Sequence, residues 1–139
     1  MSDLVGAARE ARKRSTAPYS KFEVGAAIRC SSGKVYTGSN VEVSSYGLTI
    51  CAERLAICIA LHEGEDSLTE IAIVADTDGA PGPCGACRQF MFDFAPNATV
   101  HMSNLRGDTK TSTVRELLPG AFGPDDLAAF ELRKTETPT

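Results

Sequence analysis

The chain has 139 residues, 42% of them hydrophobic and 23% charged, which suits one globular domain with a single core. Its net charge of −4 and lack of a long basic run weigh against an electrostatic grip on nucleic acid or an anionic membrane. No apolar stretch is long enough to span a bilayer, and "MSDLVGAAREARKRS" lacks an apolar run with a cleavage site, so a cytoplasmic location is expected.

In chain order, a helix is predicted from Ala7 to Ser15, stopping before Pro18; its clustered Arg9, Arg12, Lys13 and Arg14 read as a solvated face. "FEVGAAIRC" (22–30) and "KVYTGSN" (34–40) read as a hairpin around Ser31-Ser32-Gly33. A buried helix follows from about Ile50 to Glu63, closed by Gly64. "EIAIVAD" (70–76) has the apolar, β-branched run of a central strand. Gly79, Pro81, Gly82 and Pro83 form a loop, and a helix from Cys84 to Phe94 ends at Pro96. "TVHMSN" and "TKTSTV" are strands around the turn "LRGD", with a short helix near the end and a frayed tail from about 134. Alternating elements predict an α/β fold, a three-layer α/β/α sandwich on a mixed sheet of about five strands, as one domain over 1–139.

Five cysteines, an odd number including a C-x-x-C, favour reduced thiols and metal binding over a disulfide framework. Cys84 and Cys87 have the spacing of a metal-binding pair, and Cys51 is a natural third ligand. A thiol at a helix N-terminus is favoured as the thiolate that zinc takes. A catalytic zinc keeps three protein ligands and leaves a position for water, whose protons an adjacent carboxylate, Glu53, can take and return. Residues two apart on a regular helix point roughly 200° from each other, so Cys51 has to precede the regular turns if both serve one site. Arg54 and Arg88 follow closely on proposed ligands and could donate hydrogen bonds to the sulfurs; otherwise they are surface arginines. With Cys30 or Cys58 as a fourth ligand the site would be closed and structural, although Cys58 reads better as a core residue and Cys30 is open. C-x-x-C alone would also admit a redox thiol protein.

Together, "PYSKFEVGAA", "GSNVEVSSYGLTICAER", "PCGACRQF" and "ELLPGAFGPDDL" resemble the zinc-dependent cytidine deaminase family, in its short homotetrameric form, over nearly the whole chain. The resemblance implies one Zn²⁺ per chain on Cys51, Cys84 and Cys87, with Glu53 as the proton shuttle. It implies hydrolytic deamination of free cytidine and 2′-deoxycytidine in pyrimidine salvage, in a homotetramer whose sites are shared between subunits. Phe22, Asn40, Glu42, Ala52 and Phe122 would contact substrate, Phe122 from a neighbouring subunit, and Tyr46 would lie at a subunit junction. In an extended segment Asn40 and Glu42 share a face, where amide and carboxylate can clasp a ribose hydroxyl. The carboxylate also repels phosphate, which favours free nucleosides. Val43 and Ser39 depart from the family's usual "NVEN" and the cysteine before it, leaving packing around the ribose open. The alternatives are a deaminase of a modified nucleoside such as blasticidin S, a nucleic-acid editing deaminase, which would want a basic channel, and a non-enzymatic zinc-stapled binding module, in which Glu53 would have no use.

Overall fold

The computed structural model describes residues 3–134. The elements are α1 (Leu4–Arg12), β1 (Val24–Cys30), β2 (Val35–Ser39), α2 (Ala52–His62), β3 (Leu68–Ala75), α3 (Gly85–Phe94), β4 (Thr99–Ser103), β5 (Thr109–Thr113), α4 (Val114–Leu117) and α5 (Pro124–Arg133). A single turn of 3₁₀ helix, Tyr46–Leu48, precedes α2. The frayed tail expected from about 134 falls on residues outside the described ones. Among the described residues no helix is long and apolar enough to cross a membrane.

The five strands form one mixed sheet in the order β2-β1-β3-β4-β5, with β3 and β4 the parallel pair. That pair requires a crossover, which α3 supplies. Period-2 alternation sorts β1 and β3 between two cores. Ala26, Ile28, Ile71 and Ile73 point toward α2 and α3, where Ala56, Ile57, Cys87 and Met91 meet them. Ala27, Ala72 and Val74 point the other way, onto Leu4 and Ala8 of α1. Ile28, Ile57 and Ile71 are fully buried, each contributing about 1.5–3 kcal/mol by leaving water. The layers are therefore α2 and α3, the sheet, then α1, as the alternation of elements predicts.

Two glycines let helices lie against strand backbone. A Cβ on Gly25 would stand 1.9 Å from the Ala8 carbonyl oxygen. One on Gly38 would stand 2.6 Å from that of Ala52. The second approach fixes the start of α2 over β2, and with it Cys51 and Glu53.

Three boundaries differ from expectation. Helix α1 begins at Leu4 and stops at Arg12, because Ser15 turns its hydroxyl to Asn40 rather than staying in a helix. Strand β1 starts at Val24, so Phe22 belongs to a loop. The C-terminal region holds two helices, the ten-residue α5 among them, which buries no residue and exposes Leu127, Phe130 and Leu132.

Candidate metal and substrate site

Cys51 and Cys84 are the residues immediately before α2 and α3, and both are extended, with φ −73 and ψ 152 at Cys51 and φ −68 and ψ 166 at Cys84. Neither obeys helical periodicity, so Cys51 and Glu53 escape the opposition that a regular helix imposes. Cys87 lies in the first turn of α3 and is fully buried, while Cys84 is exposed. The two helix starts converge at the C-terminal end of β3, where open α/β sheets place their sites.

The three sulfurs lie within 4.8 Å of one another. Thiolates bound to one tetrahedral zinc at about 2.3 Å stand about 3.8 Å apart, so the cluster fits that ion. Among the described residues this ligand set stops at three. Cys30 is buried in the core beside β2, where burial first, and then the Glu65 charge, push its thiol up to about 11. Cys58 is exposed on α2, a correction to its expected place in the core. A closed four-sulfur site is thus not built here, and the donors suit an open metal position.

The Cys51 and Cys87 thiols differ in their tendency to ionise. A hydrogen bond from Cys87 brings the Cys51 thiol down to about 5 against the cost of burial, with Arg54 assisting. As donor in that bond, and buried, Cys87 is pushed up. Arg54 Nη2 donates to Cys51 Sγ at 3.3 Å and to the Thr49 carbonyl at 3.5 Å. Its Nε is buried without a hydrogen-bond partner.

Arg88 behaves differently from the expectation of sulfur contact. Its Nε donates to the Pro83 carbonyl at 2.8 Å and its Nη1 to that of Leu117 at 3.0 Å. It therefore braces the residue before Cys84 against α4 through the backbone.

Beside the sulfurs opens a cavity of about 300 Å³, lined by Phe22, Val24, Asn40, Thr49, Cys51, Ala52, Glu53, Ile73, Ala75, Thr77, Pro81, Gly82 and Cys84. Its volume suits a small molecule the size of a nucleoside. Glu53 is only 5% exposed, and burial, reinforced by the Cys51 charge, raises its pKa above the ordinary carboxylate value. Burial beside the thiol cluster thus favours the protonated form of Glu53 more than water would, and places a proton-carrying group in the cavity.

The loop carrying Phe22 is held from below. Lys21 takes the left-handed conformation, φ 60, which turns the chain into the cavity. Glu42 accepts the backbone N–H groups of Tyr19 and Ser20, each at 3.0 Å, and the Ser20 hydroxyl. The Ser20 contacts hold its carboxyl below the ordinary value. Asn40 Nδ2 donates to the Phe22 carbonyl at 2.8 Å, and its Oδ1 accepts Val24 N at 2.9 Å and the Ser15 hydroxyl. Asn40 and Glu42 are therefore loop anchors as well as sugar-facing candidates, a role that spacing could not reveal.

The structure brings Phe22, Asn40, Ala52 and Glu53 together, and places Glu42 one cavity over. That neighbouring space, lined by Tyr19, Ser20, Glu42, Tyr46 and Thr49, shares Thr49 with the first. Tyr46 is 73% exposed and packs edge-on to Tyr19 at 5.8 Å. Phe122 is 60% exposed and lines a separate groove between α3 and α5, away from this chain's own cavity. The wall formed by Thr77, Pro81 and Gly82 went unread in the sequence beyond its Pro and Gly content.

Comparison with known proteins agrees with this geometry. Residues 1–103 match the family model described as the cytidine and deoxycytidylate deaminase zinc-binding region. A cytidine deaminase of Sporosarcina psychrophila is 45% identical over 126 residues, covering 90% of this chain and 93% of the relative. One of Halalkalibacterium halodurans is 49% identical over 125 residues, covering 89% and 95%. The crystal structure of the cytidine deaminase from Burkholderia pseudomallei superposes with a TM-score of 0.86 at 45% identity, over 88% of this chain and 100% of that one. Fold, thiol cluster and sequence thus converge, and the chain belongs to the zinc-binding cytidine and deoxycytidylate deaminase family.

Proposed function

We propose that this enzyme hydrolytically deaminates free cytidine and 2′-deoxycytidine to uridine and 2′-deoxyuridine, releasing ammonia, in pyrimidine salvage. The observation that carries the reading is the juxtaposition of three thiols within 4.8 Å and one buried carboxyl, Glu53, in a single nucleoside-sized cavity. Zinc held by Cys51, Cys84 and Cys87 would acidify the attacking water. Glu53 would take one proton from that water and give it to ring nitrogen 3, then take the proton of the newly added hydroxyl and give it to the departing amine. Phe22 and Ala52 wall the base, and Asn40 faces the sugar. Arg54 offsets thiolate charge at Cys51 through its bond to that sulfur.

Glu42 sets a charge limit. Its carboxylate, fixed by Ser20 and the Tyr19 amide, lines the space that shares Thr49 with the substrate cavity, so a phosphate carried on the sugar toward that space would be repelled. Cytidine 5′-phosphate should react at least about tenfold more slowly than cytidine, the gap narrowing as salt rises. The test is loss of cytidine absorbance and release of ammonia by zinc-loaded protein, run beside the nucleotide and blasticidin S. Turnover of blasticidin S alone would overturn the reading.

The enzyme is proposed to act as a cytoplasmic homotetramer of single-domain subunits. Exposed Phe122, Leu127 and Phe130 on one side, and Tyr46 and Leu48 on another, support it, since apolar side chains of this size are seldom left to water in such numbers. In that assembly Phe122 enters a neighbouring site and Tyr46 lies at a subunit junction. Phe122→Ala should raise KM for cytidine about tenfold and weaken assembly in sedimentation, with the subunit fold intact. A tetramer of that variant with wild-type KM would remove Phe122 from the site.

A further inference from the structure

The turn between β4 and β5 is tied to the substrate cavity by its side chains. Asn104 is fully buried, and its amide has five polar partners, two donating to its oxygen and three acceptors sharing its two N–H groups. Its Oδ1 accepts Arg106 N at 3.0 Å and Asp108 N at 2.9 Å, closing the turn. Its Nδ2 donates to the Thr77 and Asp78 carbonyls at 3.0 and 3.1 Å, and to the Asp108 carboxylate at 2.7 Å. Arg106 Nη2 adds a second tie to the Thr77 carbonyl at 2.8 Å and reaches Asp78 Oδ1 at 3.3 Å.

The turn is itself anchored from the opposite layer. Leu105 packs against the Leu4, Ala8 and Val74 cluster, and Arg9 donates to the Asn104 carbonyl at 3.4 Å. The segment it grips leaves β3 at Ala75 and runs through Gly79, Pro81, Gly82 and Pro83 to Cys84. Thr77, Pro81 and Gly82 are a wall of the cavity. A buried amide is costly unless every polar atom is paired, and an apolar residue would fill the same space. Here the donors are divided between the turn's own Asp108 carboxylate and the Thr77 and Asp78 carbonyls of another segment.

We infer that Asn104 and Arg106 are positioning residues: the 104–108 turn is a latch that sets the Thr77–Gly82 wall and thereby the affinity for the nucleoside. The nucleoside part rests on the function proposed above, whereas the latch rests on geometry alone.

Arg106→Ala is the primary test, because that side chain is 57% exposed and its removal spares the core. Hydrogen exchange at the amides of 77–83 should accelerate, and KM for cytidine should rise about fivefold with kcat held within about twofold. Asn104→Asp keeps the oxygen that closes the turn and replaces the donor to Thr77 and Asp78 with an acceptor; KM should rise about 30-fold if it folds. A turn that merely stabilises the fold would lower the melting temperature and leave KM unchanged in the folded protein. Unchanged exchange at 77–83 together with unchanged KM in Arg106→Ala overturns the latch. If wild type fails to turn over cytidine, the functional reading falls, and the exchange measurement still decides the latch.

Discussion

Glu53→Gln is expected to lower kcat/KM for cytidine by about 10³- to 10⁴-fold while the protein keeps its zinc. Glutamine preserves the size of the side chain, so the cavity and the buried second position of α2 are undisturbed. It cannot accept a proton, so neither ring nitrogen 3 nor the amine receives one. Glu53 lies outside the set of mutually close metal donors, which is why the thiol cluster should survive the change. Burial suits the side chain to the task, because it raises the carboxyl above its ordinary value and so eases its taking up a proton. Absorbance kinetics on protein of measured zinc content check this. Activity within about tenfold of wild type would exclude Glu53 as the proton carrier.

Features set by local sequence were legible before the structure. The apolar run at 70–76 is the core of β3, and the two helices beginning at thiols are α2 and α3. The irregular turn demanded by pairing Cys51 with Glu53 appears as the extended backbone of Cys51. What escaped depends on contacts far apart in the chain. Glu42 reaches the amides of Tyr19 and Ser20, Arg88 reaches the Leu117 carbonyl, and Asn104 reaches Thr77. Spacing encodes which face of an element a residue occupies, and it does not encode which carbonyl lies across the fold. For the same reason Arg88 looked like a partner for sulfur from its place beside Cys87. Its guanidinium in fact bridges two backbone oxygens, those of Pro83 and Leu117.

The ligand set predicts a different signature from the acid, and Cys84 and Cys87 separate it from packing. Cys84→Ser leaves the core intact because the residue is exposed. Two thiolates and a poorly donating hydroxyl hold zinc weakly, so the metal should be lost on dialysis against a chelator and activity should fall about 10³-fold with it. Its stability should match that of chelator-stripped wild type, since each lacks the same contribution, the metal's bond between the α2 and α3 starts. Cys87→Ser loses zinc equally and unfolds more readily still. Its new hydroxyl sits at a fully buried position in the core with Ile57 and Met91, where the bond to the Cys51 sulfur offsets part of its desolvation, so the further cost is about 1 kcal/mol. Metal analysis and urea midpoints on both variants and on stripped wild type test the ordering. A Cys84→Ser protein that holds zinc as wild type does would take that sulfur out of the ligand set. Equal midpoints for the two variants would mean that Cys87 serves the metal alone and adds nothing to the core.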